Sequence, residues 1–255
     1  MSKARGFTTA LASRSASGAA HRQLTADFNL GEGKEGIGAL TLSELARHIL
    51  RHVADSVVVC TAHSQKAKPA VSTTPGDTLV PVGLTMSSFA PLTLVPTPVI
   101  TFNIAVPSRT EQVIAKTRNF MIHILAGDAQ GARLADVFRQ GNAHPASTLR
   151  ALRQTSSNIV WPGGVPGHHQ DDDQPFLQGK GVLYVLRCRL LDEPLDGLVP
   201  VRDHVVVLGE VLEIIKGDAE LTTSTGTPCF GLLYGDRHYR CLSEDVVRTG
   251  IEDQS

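Results

Sequence analysis

Residues 82–126 contain the side chains best suited to binding a charged ligand. A glycine stands beside short hydroxyl side chains, namely Gly83, Thr85, Ser87 and Ser88. Glycine allows close approach to the main chain, and hydroxyls and backbone amides can donate hydrogen bonds. Further along, Ser108-Arg109-Thr110 is predicted to begin a short helix. Two hydroxyls and a guanidinium at a helix N-terminus suit a phosphate group.

Both groups of residues also have a purely structural explanation. Ser108 and Glu111 form the pattern Ser-x-x-Glu, a capping box that begins a helix without any ligand. Residues 85–88 could equally be the end of a strand followed by a turn. The two explanations of Ser108 are compatible, because a capped helix start still offers amide groups to a ligand.

The hydrophobic pattern predicts the elements that position these residues. Apolar, β-branched runs predict strands at 57–61, 79–85, 99–106, 120–125, 182–191, 204–215 and 230–234. Helices are predicted at 111–117 and 129–139, the second ending at Gly141. An earlier helix is predicted from the capping box of Thr41 and Glu44, with a buried stripe of Leu42, Leu45, Ile49 and Val53. Residues 63–81 and 142–175 are predicted to be long loops.

Strands dominate this pattern, and the few helices are short. Neither parallel βαβ alternation nor a G-x-G-x-x-G motif is present, which argues against a Rossmann fold. The sequence therefore predicts a β-dominated α+β domain, built as a small closed or split antiparallel β-barrel that removes exposed sheet edges.

The order and spacing of the motifs resemble the flavin reductase-like family of FMN-binding split-barrel proteins. The matching segments are GLTMSSF from Gly83, PTP from Pro96 with Phe102, SRT from Ser108, FMIHILA from Phe120, the pair Asp203-His204, and LLY from Leu232 with Tyr239. The resemblance covers residues 40–247, and the insert at 63–81 is typical of the fungal branch. We therefore expect a leader and linker at 1–38, the FMN-binding domain at 39–248 and a tail at 249–255.

This resemblance implies a function and a set of site residues. The implied function is an FMN-binding, NAD(P)H-dependent oxidoreductase of the flavin reductase type, in which the nicotinamide passes a hydride to the flavin. The implied contacts to the flavin ring are Thr85, Met86, Ser87 and Ser88, and those to its phosphate are Ser108, Arg109 and Thr110. Further contacts are implied for His123 and Leu125, and a catalytic role near the nicotinamide for His204. A homodimer with FMN near the subunit boundary is also implied.

Simpler alternatives remain for both histidines and for the function. The family often has Asn at the position of His123, and a histidine in an apolar strand could instead be a hydrogen-bonded core residue. His204 follows a charged turn and could merely be exposed. The protein could also be a non-catalytic FMN-binding protein with a structural or partner-binding role, or an oxidase acting on a small molecule.

The amino-acid composition of the chain argues against several classes of binding partner. The chain has 255 residues, 42% of them hydrophobic, which suffices for one core. A net charge of −1 and the lack of a basic block beyond the N-terminus argue against a nucleic-acid groove. No apolar run reaches the length of a membrane span. The polar cluster of His144, His168, His169 and residues 171–173 does not match a metal-ligand spacing, so no metal is expected. We therefore expect the protein to act on a small-molecule substrate.

The first 26 residues are typical of a mitochondrial transit peptide. They are rich in Ser, Thr and Ala, lack acids before Asp27, and contain the basic residues Lys3, Arg5, Arg14 and Arg22. The alternative is an ordinary N-terminal tail on a cytoplasmic protein.

Overall fold

A computed structural model describes residues 41–63, 81–139, 141, 145–160, 174–193, 196–222 and 226–242. The predictions for the leader, the C-terminal tail and most of the loop at 63–81 lie outside the described residues. The same holds for the polar cluster of His144, His168, His169 and residues 171–173. The chain divides into two compact units between Leu50 and Arg51.

In the first unit, the described residues form helix α1, Leu42–Leu50. The predicted capping box is confirmed, because the Thr41 amide donates to Glu44 Oε2 at 2.8 Å and the Glu44 amide donates to Thr41 Oγ1 at 3.3 Å. The predicted buried stripe is wrong. No residue of α1 is buried, and Val53 lies beyond the end of the helix and is exposed.

The second unit contains the strands and the remaining helices. Its described strands are β1 Asp55–Ser56, β2 Val58–Ala62, β3 Val82–Met86, β4 Ala90–Thr93, β5 Val99–Ala105, β6 Asn119–Leu125, β7 Ser157–Val160, β8 Phe176–Gly179, β9 Val182–Leu190, β10 Leu198–Val201, β11 His204–Lys216, β12 Leu233–Gly235 and β13 His238–Arg240. Its described helices are α2 Arg109–Thr117, α3 Ala129–Phe138 and α4 Pro145–Leu152.

The main sheet is antiparallel and curls into a half-barrel, which confirms the predicted fold class. Its strands follow the order β3-β2-β6-β9-β11-β5-β4, and β10 pairs with β11 outside this path. Two smaller sheets, β1-β12-β13 and β7-β8, accompany it. None of the helices in the described part of the chain is long and apolar enough to cross a membrane.

The central strands are apolar on both faces because each face meets its own core. In β2, Val58 and Cys60 pack inside the half-barrel, whereas Val59 packs on the other face with Leu134 and Phe138 of α3. This explains why all five residues of β2 are buried and why the sequence there is a continuous apolar run.

One long strand joins the two halves of the barrel. The first part of β11 pairs with β5 and β10, and from Gly209 onward β11 pairs with β9, with an irregularity in the register between Val211 and Glu213. At Gly209 a Cβ atom would collide with the ring of Phe120, so glycine is required for this close packing.

Several elements differ from the sequence-based expectations. Strands β4 and β10 were not predicted, and each contains a proline, Pro91 and Pro200, which strands tolerate at sheet edges. The predicted loop at 142–175 is wrong in part, because α4 and β7 form within it. Leu152 of α4 is buried against the α3 side of the sheet, and this packing accounts for the ordered helix.

Candidate active site

A cleft of about 510 Å³ opens where the curled sheet brings β3 close to the end of β5 and the start of α2. Strands β3 and β5 lie far apart along the hydrogen-bonded order of the sheet, so the curl of the half-barrel creates this cleft. Its lining comes from β3, β5, the β5–α2 connection, the start of α2 and a glycine just after α3, namely Gly83, Leu84, Thr85, Met86, Asn103, Ile104, Ala105, Pro107, Ser108, Arg109, Thr110 and Gly141. Arg109 carries the only charge among these described lining residues.

The start of α2 forms one wall of the cleft. Ser108 is the N-cap in an extended conformation, and its Oγ accepts a hydrogen bond from the Glu111 amide at 3.3 Å. The same hydroxyl still has its own proton to donate. Thr110 is buried and Arg109 is exposed. One half of the predicted capping box, the bond from the Glu111 amide to Ser108, is therefore present, and Ser108, Arg109 and Thr110 line the same cleft.

The other end of α2 is anchored by Arg118. This residue ends the helix in a left-handed conformation, and its guanidinium donates to Asp192 and Asp196 at 3.0 and 2.8 Å. The guanidinium also donates to the Leu191 carbonyl at 3.1 Å. These bonds fix α2 against the loop that follows β9, and so hold its N-terminus at the cleft.

The opposite wall of the cleft is the edge strand β3. Its Thr85 hydroxyl donates to the Ala135 carbonyl of α3 at 2.6 Å, and Met86 is buried. Because β3 pairs only with β2 among the described strands, alternate backbone groups of β3 point away from the sheet. Since the Thr85 hydroxyl proton is already used in the bond to Ala135, a ligand along this wall would meet mainly the backbone of the strand.

Two glycines shape the cleft for different reasons. A Cβ atom at Gly83 would lie 2.9 Å from the Cys60 carbonyl oxygen and 2.9 Å from the Phe138 ring, so glycine allows β3 to pack against β2 and α3. Gly141 has φ +64°, and its amide donates to the Phe138 carbonyl at 2.9 Å as the chain leaves α3. The helix itself ends at Phe138 with Arg139 as its C-cap, two residues before the predicted end at Gly141.

The other predicted ring contacts, Ser87 and Ser88, do not belong to the described lining of the cleft. Ser87 is half-buried just beyond β3. Ser88 Oγ instead accepts a hydrogen bond from the Asn103 amide at 2.9 Å. This bond fixes the β3–β4 turn to β5, which is a structural role.

His204 lies beside the cleft and is exposed, as the simpler alternative expected. It is paired with Ala105 across β11 and β5, and paired residues in an antiparallel sheet project to the same face. Ala105 lines the cleft. His204 therefore sits one strand away from the lining and on the same face of the sheet.

The assignment of His123 to the cofactor is wrong, because the side chain is fully buried and both ring nitrogens are already used. Nδ1 lies 3.0 Å from the Val59 carbonyl, and the Leu177 amide donates to Nε2 at 2.9 Å. Burial lowers the pKa of His123 to about 4. The core-histidine alternative is the one that the structure shows.

The assignment of Leu125 to the cofactor is also wrong. Leu125 is fully buried in the core on the α3 side of the sheet, with Leu134 and Val182. Neither Leu125 nor His123 lines the described cleft. Alternation along β6 directs both side chains to this second core.

Sequence reasoning missed several lining residues, among them Asn103 and Gly141. Asn103 is the one amide side chain within the apolar run of β5, and it is exposed next to the cleft. A polar residue interrupting a strand-like run is a signal that could have identified it. Gly141 was predicted as the end of a helix, but only the fold brings the chain just after α3 to β3.

A second cleft of about 490 Å³ lies at the other end of α3. Its lining includes Asp128, which caps α3, together with Lys180 and Phe230. None of the predicted site residues lines it. Within the described ranges, no group of three or more His, Cys, Asp or Glu side chains is arranged to hold a metal ion.

Solved structures with the same fold include several from bacteria. One is a homologue of nitrilotriacetate monooxygenase component B from Mycobacterium thermoresistibile, with 19% identity, coverage of 83% of this chain and 93% of that one, and a TM-score of 0.56. Another is a flavin reductase domain protein from Arthrobacter sp. FB24, with 20% identity, 82% and 100% coverage and a TM-score of 0.54. A third is the NADH:FAD oxidoreductase of Streptomyces globisporus C-1027 in complex with NAD and FAD fragments, with 18% identity, 84% and 100% coverage and a TM-score of 0.53.

At these levels of identity the solved structures establish the fold alone. The family is established by sequence, because the flavin reductase like domain matches residues 50–243, which is most of the chain. The match spans every element that builds the cleft, from β3 through α2 to the end of α3. This protein belongs to the flavin reductase-like domain family.

Proposed function

We propose that this protein is an FMN-binding, NAD(P)H-dependent oxidoreductase of the flavin reductase type. The observation that carries the proposal is the cleft itself, which places a helix N-terminus with hydroxyls and one guanidinium opposite an edge strand. The helix N-terminus suits a phosphate, and the edge strand suits a flat heteroaromatic ring, so a ligand with both groups needs both walls. Family membership and the related oxidoreductases support the same function.

The phosphate end of the proposed site is the start of α2. Ser108 and Thr110 supply hydroxyl groups, and Arg109 supplies the positive charge. The helix dipole and the amides of the first turn favour an anion at this position. Because Arg109 is the charged residue of the described lining, it should account for most of the charge-dependent affinity.

The ring end of the proposed site is the wall formed by β3. Backbone groups of the edge strand can pair with the carbonyl and nitrogen atoms of the isoalloxazine, while Met86 and Ile104 supply apolar surface. When bound, the flavin would accept a hydride from the nicotinamide and so supply the redox chemistry. The protein would supply binding and orientation, for which the lining needs no carboxylate.

The nicotinamide is proposed to lie near His204. This residue is exposed and shares a sheet face with Ala105 and Asn103 of the lining. It can therefore reach a molecule stacked over the open side of the cleft. His204 is assigned to binding and orienting the nicotinamide, since hydride transfer to a flavin needs no proton donor.

We propose further that the protein is a homodimer with FMN near the subunit boundary. Large apolar side chains are exposed on and just after edge strand β4, including Leu92, Leu94 and Val95. Leu94 and Val95 are 68% and 79% exposed, which is unusual for a monomer surface. Sedimentation should give a dimer at micromolar concentration and a monomer for Leu94→Asp.

The function is tested by steady-state reduction of excess FMN with NADH and with NADPH. Parallel reactions with FAD and riboflavin measure the preference for the flavin. We expect FMN to be reduced much faster than without protein, and Ser108→Ala/Arg109→Ala to raise KM for FMN but not for riboflavin. A protein that binds FMN without accelerating its reduction would be a non-catalytic flavoprotein.

A further inference from the structure

The hairpin between β10 and β11 is held in a demanding conformation beside the proposed site. Val201 pairs directly with His204, which leaves a two-residue turn of Arg202 and Asp203. Arg202 has φ +54°, a left-handed conformation that is uncommon for residues other than glycine. Non-glycine residues in such conformations cluster at functional sites.

The backbone of this turn is tied to the wall of the cleft. The Val106 amide donates to the Asp203 carbonyl at 2.9 Å. Val106 directly precedes Pro107 and Ser108, both of which line the cleft. The turn therefore has a fixed position relative to the start of α2 and to β5.

The side chains of the turn are tied to each other. Asp203 Oδ1 lies 2.9 Å from His204 Nδ1. An ionised carboxylate only accepts hydrogen bonds, so Nδ1 must carry the proton in this contact. In a neutral ring, Nε2 is then left as an acceptor, and Nε2 makes no hydrogen bond to any other described residue.

We propose that Asp203 is a positioning residue that holds His204 in the Nδ1–H tautomer, so that Nε2 accepts a hydrogen bond from an N–H donor such as the carboxamide of a nicotinamide. The identity of the ligand rests on the proposed function, whereas the tautomer of His204 does not depend on it. The hydrogen bond from His204 also lowers the pKa of the Asp203 carboxyl, which keeps it ionised. Both side chains are accessible to a ligand, with 48% and 82% of their surfaces exposed for His204 and Asp203.

The tautomer is measured by ¹⁵N NMR of the imidazole nitrogens in the full-length protein, with the His204 signals assigned by their loss in His204→Ala. The parent should show a protonated Nδ1 and an unprotonated Nε2 at a pH where the ring is neutral. Asp203→Ala should shift the ring toward the Nε2–H form. Unchanged His204 shifts in Asp203→Ala would overturn the proposal.

A double-mutant cycle tests whether Asp203 acts through His204. We expect Asp203→Ala to lower kcat/KM for the nicotinamide about tenfold, with the Kd for FMN within about twofold of the parent. In a His204→Ala background, Asp203→Ala should cause no further loss of kcat/KM. If the double variant lost kcat/KM by the product of the two single losses, Asp203 would not act through His204.

A matched control comes from the second two-residue hairpin, between β12 and β13. Its acid, Asp236, has φ +48° and precedes His238 by two positions, but His238 Nδ1 contacts the backbone carbonyl of Asp236 and not its carboxylate. Asp236→Asn suits this backbone and should leave kcat/KM unchanged. If the parent protein fails to reduce flavin, the proposed function is wrong, while the NMR result still decides whether Asp203 sets the tautomer.

Discussion

The Leu177 amide donates a hydrogen bond to His123 Nε2 at 2.9 Å in the interior of the protein. The other ring nitrogen of His123 lies 3.0 Å from the Val59 carbonyl. One side chain of β6 therefore links β8 on one side to β2 on the other. The arrangement requires a neutral imidazole, because a protonated Nε2 could not accept the bond from Leu177.

This relationship predicts a loss of stability in mild acid. The unfolded chain protonates His123 near its usual pKa of 6.5, whereas burial lowers the folded-state pKa to about 4. Stability from this group is therefore complete above about pH 6.5, is lost as the pH falls toward 4, and changes no further below that. We expect the free energy of unfolding to fall by about 2 kcal/mol between pH 7 and pH 5.

Urea unfolding of the parent and of His123→Gln at the two pH values checks this prediction. Glutamine retains one donor and one acceptor but does not titrate, so its stability should depend less on pH. His63, whose pKa burial also lowers, is present in both proteins and cancels in the comparison. Equal pH dependence in the two proteins would show that His123 is not the titrating group.

Replacing Arg109 should weaken binding of the flavin phosphate alone. Arg109→Ala removes a charge-assisted hydrogen bond, and we expect the Kd for FMN to rise about tenfold to a hundredfold. Riboflavin has no phosphate, so its Kd should not change. Arg133→Ala is the control, because Arg133 is exposed on α3 and does not line the cleft. An equal loss of affinity for FMN and for riboflavin would show that the phosphate binds somewhere else.

Gly83→Ala should destabilise the fold at the wall of the cleft. The new Cβ would lie 2.9 Å from the Cys60 carbonyl and the Phe138 ring, so β3 must move away from its neighbours. We expect a loss of about 1–3 kcal/mol in the free energy of unfolding, measured in urea. Gly231→Ala is the matched control, because its Cβ would meet its nearest atoms at 3.7 Å. Similar effects of both substitutions would contradict this account of the packing.

Thr61→Val is expected to leave stability unchanged or to increase it by up to about 1 kcal/mol. Thr61 is fully buried in β2, and its Oγ1 has no hydrogen-bond partner among the residues that the structure describes. Thr85→Val provides the contrast, since it removes the 2.6 Å bond to the Ala135 carbonyl and should cost about 1 kcal/mol. Thermal unfolding of both variants checks the pair, and a large loss for Thr61→Val would reveal a partner for its hydroxyl.

The strands with strong apolar patterns were predictable from the sequence. Strand β5 was predicted at 99–106 and is found at Val99–Ala105, and β6 at 120–125 is found at Asn119–Leu125. The edge strands β4 and β10 were missed, because each contains a proline and gains its pairing from a neighbouring strand. Local sequence carries little information about such pairing.

The candidate site was predictable only in part, for a similar reason. Ser108, Arg109 and Thr110 adjoin one another in sequence, so their meeting at one helix start could be anticipated. The burial of His123 could not, because its partners Val59 and Leu177 are distant in the chain and become neighbours only through the sheet and β8.

The central claim is that this protein transfers a hydride from a nicotinamide to a flavin held in the cleft. The most direct test is anaerobic mixing of the FMN-loaded protein with NADH or NADPH, followed by flavin absorbance near about 450 nm. We predict rapid bleaching with at least one nicotinamide, slower bleaching in His204→Ala, and no change in the amount of FMN bound to that variant. Bound FMN that is bleached by neither NADH nor NADPH within minutes would contradict the claim.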